Sequence, residues 1–159
     1  MHRALILGTA LAVLSAVPVL GQTKGSSVVK EHKNPQGLAV PRGYSHTVTV
    51  SGGHTIYVAG QVAFNAQGEV VGKGDLRAQM RQALENLRLA LAGSGASFKD
   101  IVKWNTYVVG FKPDQLTILR EVRSEILKDV PPPASTLIGV QALANPDLLI
   151  EIEAIAVVD

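Results

Sequence analysis

The stretch that most constrains the fold is the last one, LLIEIEAIAVVD, from Leu148 to Asp159. Apolar residues dominate it, and side chains along a strand alternate between two faces. Ile150, Ile152 and Ala154 therefore share one face. Glu151 and Glu153 share the other. A strand of this kind needs a core on its first face. Its second face carries two carboxylates beside apolar neighbours, so it faces either water or something that uses a carboxylate.

The first residues belong to a different regime. MHRALILGTALAVLSAVPVLGQ has His2 and Arg3 at its start, an apolar run from Ala4 to Leu20, and small residues at Ala16 and Gly21. That is the layout of a secretory signal peptide, with removal expected after Gly21. The expectation is an exported protein, periplasmic or secreted, with no stable membrane anchor once residues 1–21 are gone. The remaining 138 of 159 residues suit one domain with its own core. Without a cysteine the chain has no disulfide, thiol nucleophile or thiolate metal site. Net charge is +2, and +1 without Arg3, which argues against a nucleic-acid partner.

Residues 22–40 are polar and broken by Asn34-Pro35 and Gly37, and read as a tether before a domain at 41–159. Alternation from Tyr44 to Ser51 predicts a strand. Gly52-Gly53 signals a hairpin turn into a second strand, HTIYVAGQ, ending near Gly60. Asp75 caps a helix whose apolar stripe is Leu76, Met80, Ala83, Leu84, Leu87 and Leu91, and Gly93 and Gly95 stop it. Lys103–Val109 reads as a strand. Pro113-Asp114 opens a second helix with the stripe Leu116, Leu119, Val122 and Ile126. The triple proline 131–133 holds the chain extended ahead of a strand at Ser135–Val140. The order ββαβαββ predicts an α+β layer, with two helices on one face of a mixed sheet. The opposite face, carrying Val48, Ala59, Thr136 and the glutamates of the last strand or their neighbours, asks for a partner subunit.

Familiar catalytic signatures are absent: no HExxH, GxSxG or phosphate loop occurs. VGKGDL and GSGAS read as turns. His2, His32, His46 and His54 lack metal-ligand spacing, so no metal is called for. Arg120 and Arg123 stand one turn apart on the second helix and read as a solvated face.

Several segments together resemble the Rid family (reactive intermediate deaminases, also called YjgF-like). They are PRGYSHTV from Pro41, YVAGQV from Tyr57, QMRQALENLRLAL, GASFKDIVKWNTYV, and PPPASTLIGVQAL followed by IEIEAIAVV. The resemblance spans about residues 35–158. It implies a chorismate-mutase-like fold and a homotrimer with clefts between subunits. The implied activity is attack of water on a small imine or enamine, releasing ammonia, without cofactor. By alignment with the family pattern, Glu151 would hold the attacking water. Tyr44, Ala59, Gly60, Arg120, Ser135 and Thr136 would line the substrate site. Glu153 is assigned a structural role.

One position departs from the pattern. Where the deaminases read PAR[ST], this chain has Pro133-Ala134-Ser135-Thr136. A guanidinium grips a carboxylate with two parallel hydrogen bonds, and a serine hydroxyl offers one uncharged donor. Losing that pair costs about 1.5–3 kcal/mol in a buried site. The expectation is a deaminase-like hydrolase of the arginine-lacking subgroup, acting on a C–N compound without an amino-acid carboxylate. The alternative is a non-catalytic protein that binds a small metabolite on the same scaffold. A ribonuclease is disfavoured by the low net charge and the lack of a catalytic histidine pair.

Overall fold

A computed structural model describes residues 27–159, and the signal-peptide assignment lies outside those residues. The central sheet has four strands in the order β3-β6-β4-β5, with β3 at His54–Val62, β4 at Ile101–Val109, β5 at Ala134–Val140 and β6 at Ile150–Val158. The β4–β5 pair is parallel, and β6 is antiparallel to both its neighbours. Two helices, α1 (Leu76–Gly93) and α2 (Gln115–Ile126), pack into the same core against one face of this sheet. The architecture is α+β with a mixed sheet, as the element order predicts.

The helices follow from local chemistry. The Asp75 carboxylate accepts the Ala78 N–H at 3.1 Å, satisfying one of the free donors of the first turn of α1. All six residues of its predicted stripe are buried. They meet Ile150, Ile152, Ala154 and Ala156 of β6 and Trp104 and Val108 of β4. The core face of the last strand is thus the face opposite its two glutamates. Gln79 is also fully buried on α1. Its amide donates to the Asp147 and Gly72 carbonyls at 2.7 and 3.3 Å and accepts the Leu149 N–H at 2.7 Å. It pins the loop that delivers β6 to the sheet.

Two predictions need correction. Residues 22–40 are not all tether, because Val29–Lys33 forms β1. It pairs antiparallel with β2 (Thr47–Ser51), from Val29 opposite Ser51 to Lys33 opposite Thr47. The segment VKEHK lacks the apolar alternation that announces a strand, and its partner is far along the chain. Gly52 and Gly53 do make a turn, with φ of 75° and 80°, the positive values a tight hairpin turn needs. Yet β2 pairs with β1, and β3 pairs with β6. A Cβ on Gly53 would fall within 2.4 Å of the Val158 carbonyl and 2.1 Å of Val28, so the turn sits packed against the chain entering β1. Val48 therefore belongs to the two-stranded ribbon and not to the open face of the main sheet. The ribbon is joined to the main sheet where Ser45 bridges Ala134.

Candidate functional site

The predicted site residues divide between the two faces of the sheet. Glu151, Gly60, Ala59 and Thr136 lie on the open face. Tyr44, Arg120 and Ser135 lie on the helix side.

On the open face, the register of β3 slips against β6. Val58 opposes Ala154 and Gln61 opposes Ile152, so Ala59 and Gly60 together stand opposite Glu153. This bulge re-aims the backbone, as bulges beside functional sites do. It brings Gly60 under the Glu151 side chain. A Cβ on Gly60 would lie 1.7 Å from Glu151 Oε1, so the close approach requires glycine. The two glutamates then differ. Glu153 Oε1 accepts Asn105 Nδ2 at 2.7 Å and the Tyr107 hydroxyl at 2.9 Å. Those bonds hold its carboxyl below the usual carboxylate range and push the Tyr107 hydroxyl up. Among the described residues, no side chain or backbone N–H donates to the Glu151 carboxylate. Ala59 edges a groove with Tyr57, Lys103, Asn105 and Glu153. Thr136 takes a hydrogen bond from Lys103 on the same face. Tyr57 in the groove is 79% exposed, a large aromatic for an open sheet face.

On the helix side, a cavity of about 200 Å³ opens between α2, β4, β5 and the Arg42–Tyr44 loop. Tyr44, Arg120 and Ser135 line it together with Arg42, Trp104 and Arg123. Parallel pairing sets Ser135 beside Trp104, and the indole Nε1–H donates to Ser135 Oγ at 2.7 Å. The sequence reading of Arg123 as solvated is overturned. Arg123 turns inward, its guanidinium 5.2 Å from the Trp104 ring centroid and its Nη1 3.5 Å from Ser135 Oγ. Gly43 lies against its other side. Burial, then repulsion by Arg120, lowers the affinity of Arg123 for its proton. The sequence signal was the shared flank of Leu116, Arg120 and Arg123 on α2. What hides Arg123 is the loop and strand packed over that flank.

The profile of the endoribonuclease L-PSP family matches residues 35–158, which covers most of the chain and every site residue above. The chain belongs to the Rid (YjgF) family. Among Rid relatives, a 2-iminobutanoate/2-iminopropanoate deaminase of Dermatophagoides farinae is 31% identical over 73% of this chain and 86% of its own. A RutC family protein of Pyrococcus abyssi is 37% identical over 71% and 84%. The crystal structure of a Rid family protein of unknown function, YyfB of Yersinia pestis, superposes with a TM-score of 0.77. It is 44% identical, over 81% of this chain and 98% of that one. RidA of an Antarctic Psychrobacter is 29% identical with a TM-score of 0.60, over 80% and 98%. Both candidate faces are thus set in a Rid scaffold, and the cavity beside Ser135 is not short of positive charge.

Proposed function

We propose that the chain is an exported, deaminase-like hydrolase that works as a homotrimer. Its substrate is a small imine, enamine or related C–N compound. The observation that carries this reading is the Glu151 carboxylate, set over the Gly60 backbone without a hydrogen bond from another described residue, while its neighbour Glu153 accepts two on Oε1. A carboxylate with free lone pairs at that place can hold a water and take its proton as the water attacks an imine carbon. The carbinolamine so formed expels ammonia and leaves a carbonyl.

The two halves of the site need a neighbour. Glu151 and Ser135 project from opposite faces of one sheet, so one protomer cannot present both to one small molecule. A ring of three copies, each laying its open sheet face against the edge of the next, joins Glu151 of one subunit to the Ser135 cavity of another. The exposed Tyr57, the exposed Ile138 and the uncovered Ala59 groove support such a contact. The relative named an imine deaminase supports the chemistry.

The test is ammonia release from freshly generated imines by the chain lacking residues 1–21, with light scattering to read its mass. The reading expects a trimer, turnover of at least one imine, and loss of turnover in Glu151→Ala. Full activity in a folded Glu151→Ala variant would refute it.

A further inference from the structure

The helix-side cavity has an uncommon inventory. Three guanidiniums, those of Arg42, Arg120 and Arg123, line it, and no Asp or Glu does. None of the three takes part in an ion pair with the described residues. The acidic residues of α2 are used elsewhere: Glu121 pairs with Arg77 and Glu125 with Arg81, both on α1. The charges of α2 are thus sorted, carboxylates toward α1 and arginines toward the cavity.

The uncharged polar groups lean the same way. A hydroxyl has one proton to give and two lone pairs. Ser135 Oγ already accepts from Trp104 and lies next to Arg123 Nη1, so its own proton is free to be donated. Tyr44 lines the cavity, and its hydroxyl has no bond to another described residue. The cavity thus sets three cations and several neutral donors, with Thr106 among them, against an apolar floor of Met80, Leu116, Leu119, Leu137 and Ile152. Burial and the neighbouring Arg120 both disfavour the Arg123 cation, and the Trp104 ring beneath it opposes them.

We propose that this cavity is an anion site in which Arg123, reaching in from α2, supplies the cation that position 135 lacks. The compound bound in the cleft then carries a carboxylate or phosphate group, contrary to the expectation drawn from Ser135. A planar guanidinium held over the Trp104 ring presents its remaining N–H groups in a fork that fits either group. Arg42 and Arg120, exposed at the rim, strengthen the attraction and favour a doubly charged ligand over a singly charged one. Turnover of such a compound rests on the hydrolase reading; its binding does not.

Trp104, the chain's single tryptophan, reports on the site because it touches both Arg123 and Ser135. The experiment titrates pyruvate, inorganic phosphate and neutral pyruvamide at constant ionic strength, following tryptophan emission and heat of binding. The proteins are wild type, Arg123→Gln, Arg123→Lys and the double rim variant Arg42→Gln/Arg120→Gln, each checked for folding by circular dichroism. Phosphate and pyruvate should bind and shift the emission, with pyruvamide silent. Arg123→Gln should weaken binding tenfold or more, as loss of a charge-assisted pair does. Arg123→Lys should keep part of it. The rim variant, whose changed side chains are exposed, should weaken phosphate more than pyruvate even if Arg123→Gln does not fold. Equal binding of pyruvamide, an unaltered affinity in folded Arg123→Gln, or no anion binding by wild type would overturn the proposal. Anion binding without ammonia release would leave the site standing and remove the hydrolase. Ammonia release indifferent to Arg123→Gln would do the reverse.

Discussion

Gly60→Ala is the substitution in which structure and function should separate most cleanly. The new methyl would sit 1.7, 2.6 and 2.8 Å from Oε1, Cδ and Cγ of Glu151. All three are atoms of a flexible side chain on a partly open face, so the clash is relieved by swinging the carboxylate aside. A displaced rotamer costs about 0.5–1.5 kcal/mol. Against that, replacing glycine by alanine at a compatible backbone position contributes about 0.4–1 kcal/mol by restricting the unfolded chain. The two nearly cancel, and the melting temperature should move by no more than a few degrees. Catalysis should not be spared. A positioned general base contributes about 10²–10⁴-fold, and the variant has moved it. Urea unfolding and ammonia release, run on wild type, Gly60→Ala, Glu151→Ala and the double variant, read both quantities. The double variant should be no slower than Glu151→Ala alone, because both changes remove one function. A loss of more than about 3 kcal/mol in Gly60→Ala would show that the backbone, not the carboxylate, is what glycine protects. Wild-type turnover in Gly60→Ala with a dead Glu151→Ala would break the link between them.

Two further predictions concern the frame around the site. Gln79→Leu strands the Leu149 N–H and the Asp147 carbonyl, at about 1–3 kcal/mol for each buried group left unpaired, and should lower the urea midpoint without changing the slope. Asp100 joins β1 to the turn before β4 through Lys30 at 3.0 Å. Burial alone would raise its carboxyl, but bonds from Lys30 and from the Ser97 N–H and hydroxyl outweigh it and hold it below the usual range. A depressed acid stabilises above its unfolded value of about 3.9 and loses that as pH falls through its lower folded value. Urea unfolding between pH 7 and pH 2 should show a shallower acid limb, and lower stability at pH 7, in Asp100→Asn.

Much of this fold is legible in local patterns. The stripe from Leu76 to Leu91 and the Ile–Glu alternation of β6 each state their buried face, because helical and strand periods are local properties. The pairing of β1 is not legible, since VKEHK gives no apolar period and its ladder depends on a partner fourteen or more residues away. The fates of the two glutamates diverge for the same reason. Asn105 meets Glu153 only through the β4–β6 register, and Gly60 meets Glu151 only through a bulge. Arg123 is the sharpest case. Helix geometry puts it on one flank with Arg120, but whether that flank is wet is decided by Gly43 and Trp104, both far along the chain.

The central claim, that Glu151 and the arginine cavity of different subunits form one site, is open to subunit complementation. Glu151→Ala chains, expected to be inactive, and Arg123→Gln chains, assayed at a substrate concentration too low for their weakened cavity, are unfolded together in equal amounts and refolded to give the proposed mixed trimers, and ammonia release is measured. In a head-to-tail ring with random mixing, about a quarter of the contacts pair an intact Glu151 with an intact cavity, so activity should return to about a quarter of wild type. Mixed trimers that stay as inactive as their parents would contradict the shared site and place the chemistry within one subunit.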